Sequence, residues 1–117
     1  MNKTLHAYLD YPVALGLIIM PFVFGLGAEN TLALWLSVIT GVAAFILTVF
    51  TDHHLGLVRV LPYKLHLMVD FLVGIAFMLA PSILGFSGLD ATYYWFLGAT
   101  VLIVVALDNT QDAVTVE

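Results

Sequence analysis

Cysteine is absent from the 117-residue chain, which removes thiolate catalysis, iron–sulfur clusters and cysteine-ligated zinc together. Basic side chains are nearly as scarce, since three Lys and Arg against eight Asp and Glu give a net charge of −5. Three cations cannot neutralise a row of phosphates, so nucleic acid is not the expected partner. Charged residues make up 9% of the chain and hydrophobic residues 62%, where a soluble domain carries about 25% and about 45–50%. Eleven charged side chains cannot cover a water-facing exterior, and the natural solvent for the remainder is lipid. Gly-rich phosphate loops, nucleophile elbows and the H-E-x-x-H pattern are also missing, so no enzymatic activity is expected. Met1 to His6 lacks the basic, apolar and small-residue succession of a cleaved leader, and the chain is read as mature from Met1.

What is present is apolar length. Four runs stand out, from about Tyr11 to Ala28, Thr31 to Phe50, Phe71 to Ser87 and Ala91 to Leu107. As helices they would be about 26–30 Å long, the thickness of a bilayer's hydrocarbon core. Membrane strands need only about 10 residues of alternating polarity, and these runs are longer and apolar on both parities. The short connections Gly27 to Asn30 and Gly88 to Asp90 carry no basic residue, whereas Arg59 and Lys64 lie in or at the longer one, Thr51 to Lys64, and Lys3 precedes the first run. Four spans place all three on one side, and the positive-inside rule puts both termini in the cytoplasm.

The chain repeats itself. Shifted by 60 residues without a gap, His6 aligns with His66, Asp10 with Asp70, Pro21 with Pro81, Gly25 with Gly85 and Trp35 with Trp95. The unit reads H-x-x-x-D-[YF]-x9-P-x-x-x-G-x9-W, and each copy holds one helical hairpin. Two spans return the chain to its starting side, so the copies run in the same direction and are related by a pseudo-two-fold axis along the membrane normal. The predicted fold is an all-α integral membrane domain over residues 1–117. It comprises repeat one (about 5–50), a cytoplasmic connection (about 51–64), repeat two (about 65–108) and an acidic tail (109–117).

A two-helix unit repeated twice, with a proline near the outer end of its first helix followed by glycine, resembles the SPW repeat family of small bacterial membrane proteins. Where that family has Ser-Pro-Trp, this chain has Met20-Pro21-Phe22 and Ala80-Pro81-Ser82. The resemblance implies the cytoplasmic (inner) membrane of a bacterium. It implies no activity and no catalytic residue.

His6 and Asp10, and likewise His66 and Asp70, are four apart and share a helical face. Both pairs sit at the cytoplasmic start of a span, and His53 and His54 lie in the loop on that side. Imidazole and carboxylate suit a divalent metal, and His6 or His66 could ligate a haem or pigment or hold a quinone. Helical spacing does not itself bring the two pairs together, and the bland expectation is that each His bonds its own Asp and trims a helix start. Lys64 and first-turn amides are further expected partners of Asp70. Along the same faces, Asp10, Ala14, Leu17 and Pro21, and Asp70, Gly74, Phe77 and Pro81, mark the packed side. The prolines deprive the Leu17 and Phe77 carbonyls of a helical partner, and a kink toward the bundle is expected. Ala33, Ser37 and Gly41 form a small-residue series for close approach of another helix, of this chain or another subunit. Trp35, Trp95, Tyr93 and Tyr94 occupy the position of an interfacial aromatic belt.

Three functions compete. The first is a non-enzymatic protein acting by helix–helix association, as a homo-oligomer or a small accessory subunit of a larger membrane complex. The second is a small transporter or channel that uses Asp10 and Asp70. The third is a subunit holding a haem, pigment or quinone through His6 or His66.

Overall fold

The computed structural model describes residues 3–51 and 60–114. Four helices follow in order, α1 (Lys3–Phe24), α2 (Thr31–Phe50), α3 (Tyr63–Leu84) and α4 (Gly88–Val114). No strand occurs among the described residues beyond one isolated bridge between Thr51 and Leu61. α2, α3 and the Gly88–Asp108 part of α4 are long and apolar enough to cross a membrane, and α1 contributes the shorter apolar segment Tyr8–Phe24.

α1 and α3 begin and end 60 residues apart, at Lys3 and Tyr63 and at Phe24 and Leu84, so the sequence repeat is a structural one. Both helices stop by the same device. Gly25 and Gly85 adopt left-handed φ values of 68° and 74°, and the amides of Leu26 and Phe86 turn back to the Pro21 and Pro81 carbonyls at 2.8 and 3.0 Å. This is the six-to-one bond of a Schellman ending, for which glycine is favoured because it lacks a Cβ. Buried Leu26 and Phe86 then fold under the bundle. Pro21 and Pro81 thus occupy the last turn of their helices, and the P-x-x-x-G spacing acts as a terminator.

α4 departs from the repeat at both ends. Gly88 to Asp90, expected as loop, already form its first turn, where an acidic residue is favoured by the helix dipole. At the far end the helix continues to Val114, through most of the segment expected as a tail.

Each hairpin is held by close helix contact. A Cβ on Gly41 would meet the Ala14 carbonyl oxygen and the Leu17 and Ile18 side chains at 2.8 Å, and one on Gly98 would meet the Gly74 carbonyl oxygen at 2.9 Å. Ala33, Ser37 and Gly41 are buried and are consumed within the chain: α1 lies against Ser37 and Gly41, and the Tyr94 hydroxyl reaches the Ala33 carbonyl at 2.6 Å. The expected packed faces are buried from Ala14 to Pro21 and from Gly74 to Pro81. Ser37 donates to the Leu17 carbonyl at 2.8 Å and pairs with the Tyr93 hydroxyl at 2.6 Å. The core therefore joins apolar side chains to a few hydrogen-bonded polar ones, Ser37, Tyr93 and Tyr94 among them. The outside is apolar, with Val23, Ile39, Leu72, Ile83 and Phe96 all strongly exposed, the reverse of a water-soluble bundle.

Candidate functional site

The first turns of α1 and α3 lie at the same end of the bundle. Each helix places a His and an Asp on one face, one turn apart, and the two faces meet. His6 Nε2 lies 2.9 Å from Asp10 Oδ1 and 3.1 Å from Asp70 Oδ2. His66 Nε2 lies 3.3 Å from Asp10 Oδ2 and 3.2 Å from the same Asp70 oxygen. The result is a four-membered ring of side chains, imidazole and carboxylate alternating, in which every His contacts an Asp of its own repeat and one of the other. The two imidazoles are nearly perpendicular, 5.7 Å between centroids. Both histidines are buried, while the Asp10 and Asp70 side chains keep 11% and 19% of their surface exposed, so the ring opens on its carboxylate edge.

The outward nitrogens of the rings are held as well. His6 Nδ1 contacts Asp108 Oδ2, and the Tyr63 hydroxyl donates to that oxygen at 2.7 Å. His66 Nδ1 lies 2.8 Å from Thr51 Oγ1, which in turn donates to the Leu47 carbonyl at 2.5 Å. Asp108 ends the apolar part of α4, and Thr51 directly follows α2. Each imidazole is thus backed by the end of a second hairpin helix from the other repeat.

His6, Asp10, His66 and Asp70, proposed from the sequence as two separate pairs, form one cluster. His53 and His54 lie outside the described residues. Asp70 finds its partners in two imidazoles rather than in Lys64 and helix amides. Asp108, Thr51 and Tyr63 are the residues that sequence reasoning passed over. Asp108 aligns with Thr48 in the 60-residue register, so the repeat offers no second acid at that position to mark it.

The opposite end is clasped differently. Asn30 and Asp90, again 60 residues apart, each reach across to the other hairpin: Asn30 Nδ2 donates to the Leu84 carbonyl at 2.9 Å, and Asp90 Oδ1 accepts from the Gly27 amide at 3.2 Å. Trp35 and Trp95 are half exposed there, as a belt requires. Tyr93 and Tyr94 are not part of it. Both are buried, Tyr94 completely, against Phe77 and Phe86 with ring centroids 4.6 and 4.8 Å away.

A sequence model of the SPW repeat domain matches residues 4–109. No curated protein matches the chain, and no solved structure does.

Proposed function

The chain belongs to the SPW repeat family, and from that membership and the geometry of the His–Asp ring we propose that it is a four-span integral membrane protein, non-enzymatic, that handles a cation where its two hairpins meet. The reading places it in the bacterial inner membrane with both termini cytoplasmic. It works as a homo-oligomer or a small accessory subunit of a larger membrane complex, a reading supported by the apolar exterior that its helices offer to other spans.

The observation that carries the reading is the convergence of His6, Asp10, His66 and Asp70 from two repeats, with one ligand atom of each within 4.8 Å of the others. Stability alone does not account for it. A buried ion pair roughly breaks even against well-packed apolar residues of the same volume, and Asn30 and Asp90 already clasp the hairpins at the other end. Ionisable groups inside a membrane protein are by default functional. The haem and pigment readings are less favoured, since both Nε2 atoms already face carboxylates that a macrocycle would have to displace. Reconstitution into vesicles holding a pH dye and a divalent-sensitive dye tests the proposal. The native protein should move or sequester one of these cations, and an Asp10→Asn, Asp70→Asn variant should not. Equal responses from both would leave the ring a clasp only.

A further inference from the structure

Resting on that cation-handling reading, we infer that the ring is the site of one divalent first-row transition metal, bound by Nε2 of His6 and His66 and one oxygen each of Asp10 and Asp70. The hydrogen-bond network fixes which nitrogen is available. The Thr51 hydroxyl hydrogen is committed to the Leu47 carbonyl, so toward His66 its oxygen accepts and Nδ1 carries the hydrogen. The Asp108 carboxylate, an acceptor, imposes the same tautomer on His6. In the neutral imidazole both rings therefore turn the Nε2 lone pair inward, toward carboxylate oxygens at 2.9–3.3 Å. A proton on each Nε2 or a cation at the centre satisfies that arrangement, and the convergence of four donor side chains from two repeats on one point suits the cation.

The dimensions suit a metal ion. Nitrogen and oxygen ligands at 2.0–2.2 Å from zinc, subtending angles between square and tetrahedral, stand about 2.8–3.6 Å from their neighbours. The four His–Asp edges, which use both oxygens of Asp10 and one of Asp70, span 2.9 to 3.3 Å. Two carboxylates balance two positive charges where bare charge is costly. The donor set selects the class. Two imidazoles favour zinc, cobalt, nickel or copper over calcium and magnesium, which prefer all-oxygen sites. The backing of each imidazole is the outer support that metal-ligating histidines ordinarily have, with Asp108 and Tyr63 behind His6 and Thr51 behind His66. These three are positioning residues, and Asp108 is the strongest of them because a carboxylate raises the basicity of the ring it holds.

The full-length protein, purified in mild detergent and stripped with a chelator, is dialysed against Zn²⁺ and separately against Co²⁺. One Zn²⁺ per chain is expected, and Co²⁺ should give d–d bands of a nitrogen–oxygen site. His66→Gln and Asp70→Asn should abolish that stoichiometry, whereas a His53→Gln, His54→Gln variant should keep it. Asp108→Asn should weaken Zn²⁺ binding by about 10–100-fold, and Thr51→Val by less. Absence of Zn²⁺ and Co²⁺ from the native protein would overturn the inference, as would unchanged binding in His66→Gln and Asp70→Asn. If those variants lose their helical circular dichroism, the Co²⁺ spectrum of the native protein decides alone, and bands without imidazole nitrogen would reject the site. A vesicle proton response without Zn²⁺ binding would remove the metal and leave the cation-handling reading standing.

Discussion

The Ser37 hydroxyl on α2 donates to the Leu17 carbonyl on α1, the carbonyl that Pro21 leaves without an amide four residues on. A helix defect in one strand of the hairpin is thus repaired by the other, and the Tyr93 hydroxyl extends the repair to the second repeat. Ser37→Ala should lower stability by about 1–3 kcal/mol, the cost of an unsatisfied buried carbonyl. Pro21→Ala returns an amide to Leu17, so in its background the Ser37→Ala penalty should shrink. Thermal unfolding of the four proteins of that cycle in detergent measures the coupling, and additive effects would contradict the repair.

Gly25 and Gly85 face open space, with nothing within 4 Å of an added Cβ. Their substitution therefore costs only the left-handed backbone, about 1–2 kcal/mol for alanine. Gly25→Ala and Gly85→Ala should be destabilised alike. Gly41→Ala should lose more, because its Cβ collides with α1 backbone. A melting series of the three separates conformational from steric cost.

Asp70 bridges imidazoles of both repeats. Asp70→Ala should destabilise the purified protein by about 1–3 kcal/mol, with Asp70→Asn intermediate since it keeps part of the hydrogen bonding. The structural equivalence of Asp10 predicts the same order there. A stable Asp70→Ala protein that has lost its cation response would show that the ring serves function alone.

Asn30 has two duties, accepting from the Leu32 amide as the cap of α2 and donating to the Leu84 carbonyl. Asn30→Asp preserves the cap but turns a carboxylate toward that carbonyl. It should be less stable than Asn30→Ser, which also caps. The reverse order in thermal melts would show that the cross-hairpin bond adds nothing.

Leu72 lies in the middle of α3 with 60% of its surface exposed. Leu72→Lys should reduce membrane insertion by about 2.5–3.5 kcal/mol, as for a charge at the centre of a lipid-facing span. Glycosylation-mapped insertion of the isolated α3 segment measures it. A neutral outcome would mean that this face does not meet lipid.

The recurrence itself and the packed faces through Ala14 and Gly74 were legible from residue types alone, but the helix bounds were not: the apolar runs from Tyr11 to Ala28 and Phe71 to Ser87 miss the mixed polar starts of α1 and α3 and overrun their glycine endings. What else was not legible depends on how two hairpins face each other. Tyr93, Tyr94 and Trp95 are consecutive, and helical rotation of about 100° per residue sends them in different directions. Nothing in their order says which points inward. Ser37 was counted for its small size, but its hydroxyl does the work, visible only once the Leu17 carbonyl lies beneath it. Asp108 was legible as an acid near a helix end, yet its role depends on His6, a hundred residues away.

The two imidazoles are backed unequally, a carboxylate behind His6 and a hydroxyl behind His66. A ring that takes one His and one Asp from each of two repeats is equally open to two identical hairpin chains meeting as a symmetric dimer, but there both backing groups would have to be the same residue. Joining the copies in one polypeptide lifts that constraint. Here the freedom has been used at one site: the tandem chain sets an imidazole held by a carboxylate beside one held by a hydroxyl, an asymmetry that a dimer of identical halves could not encode.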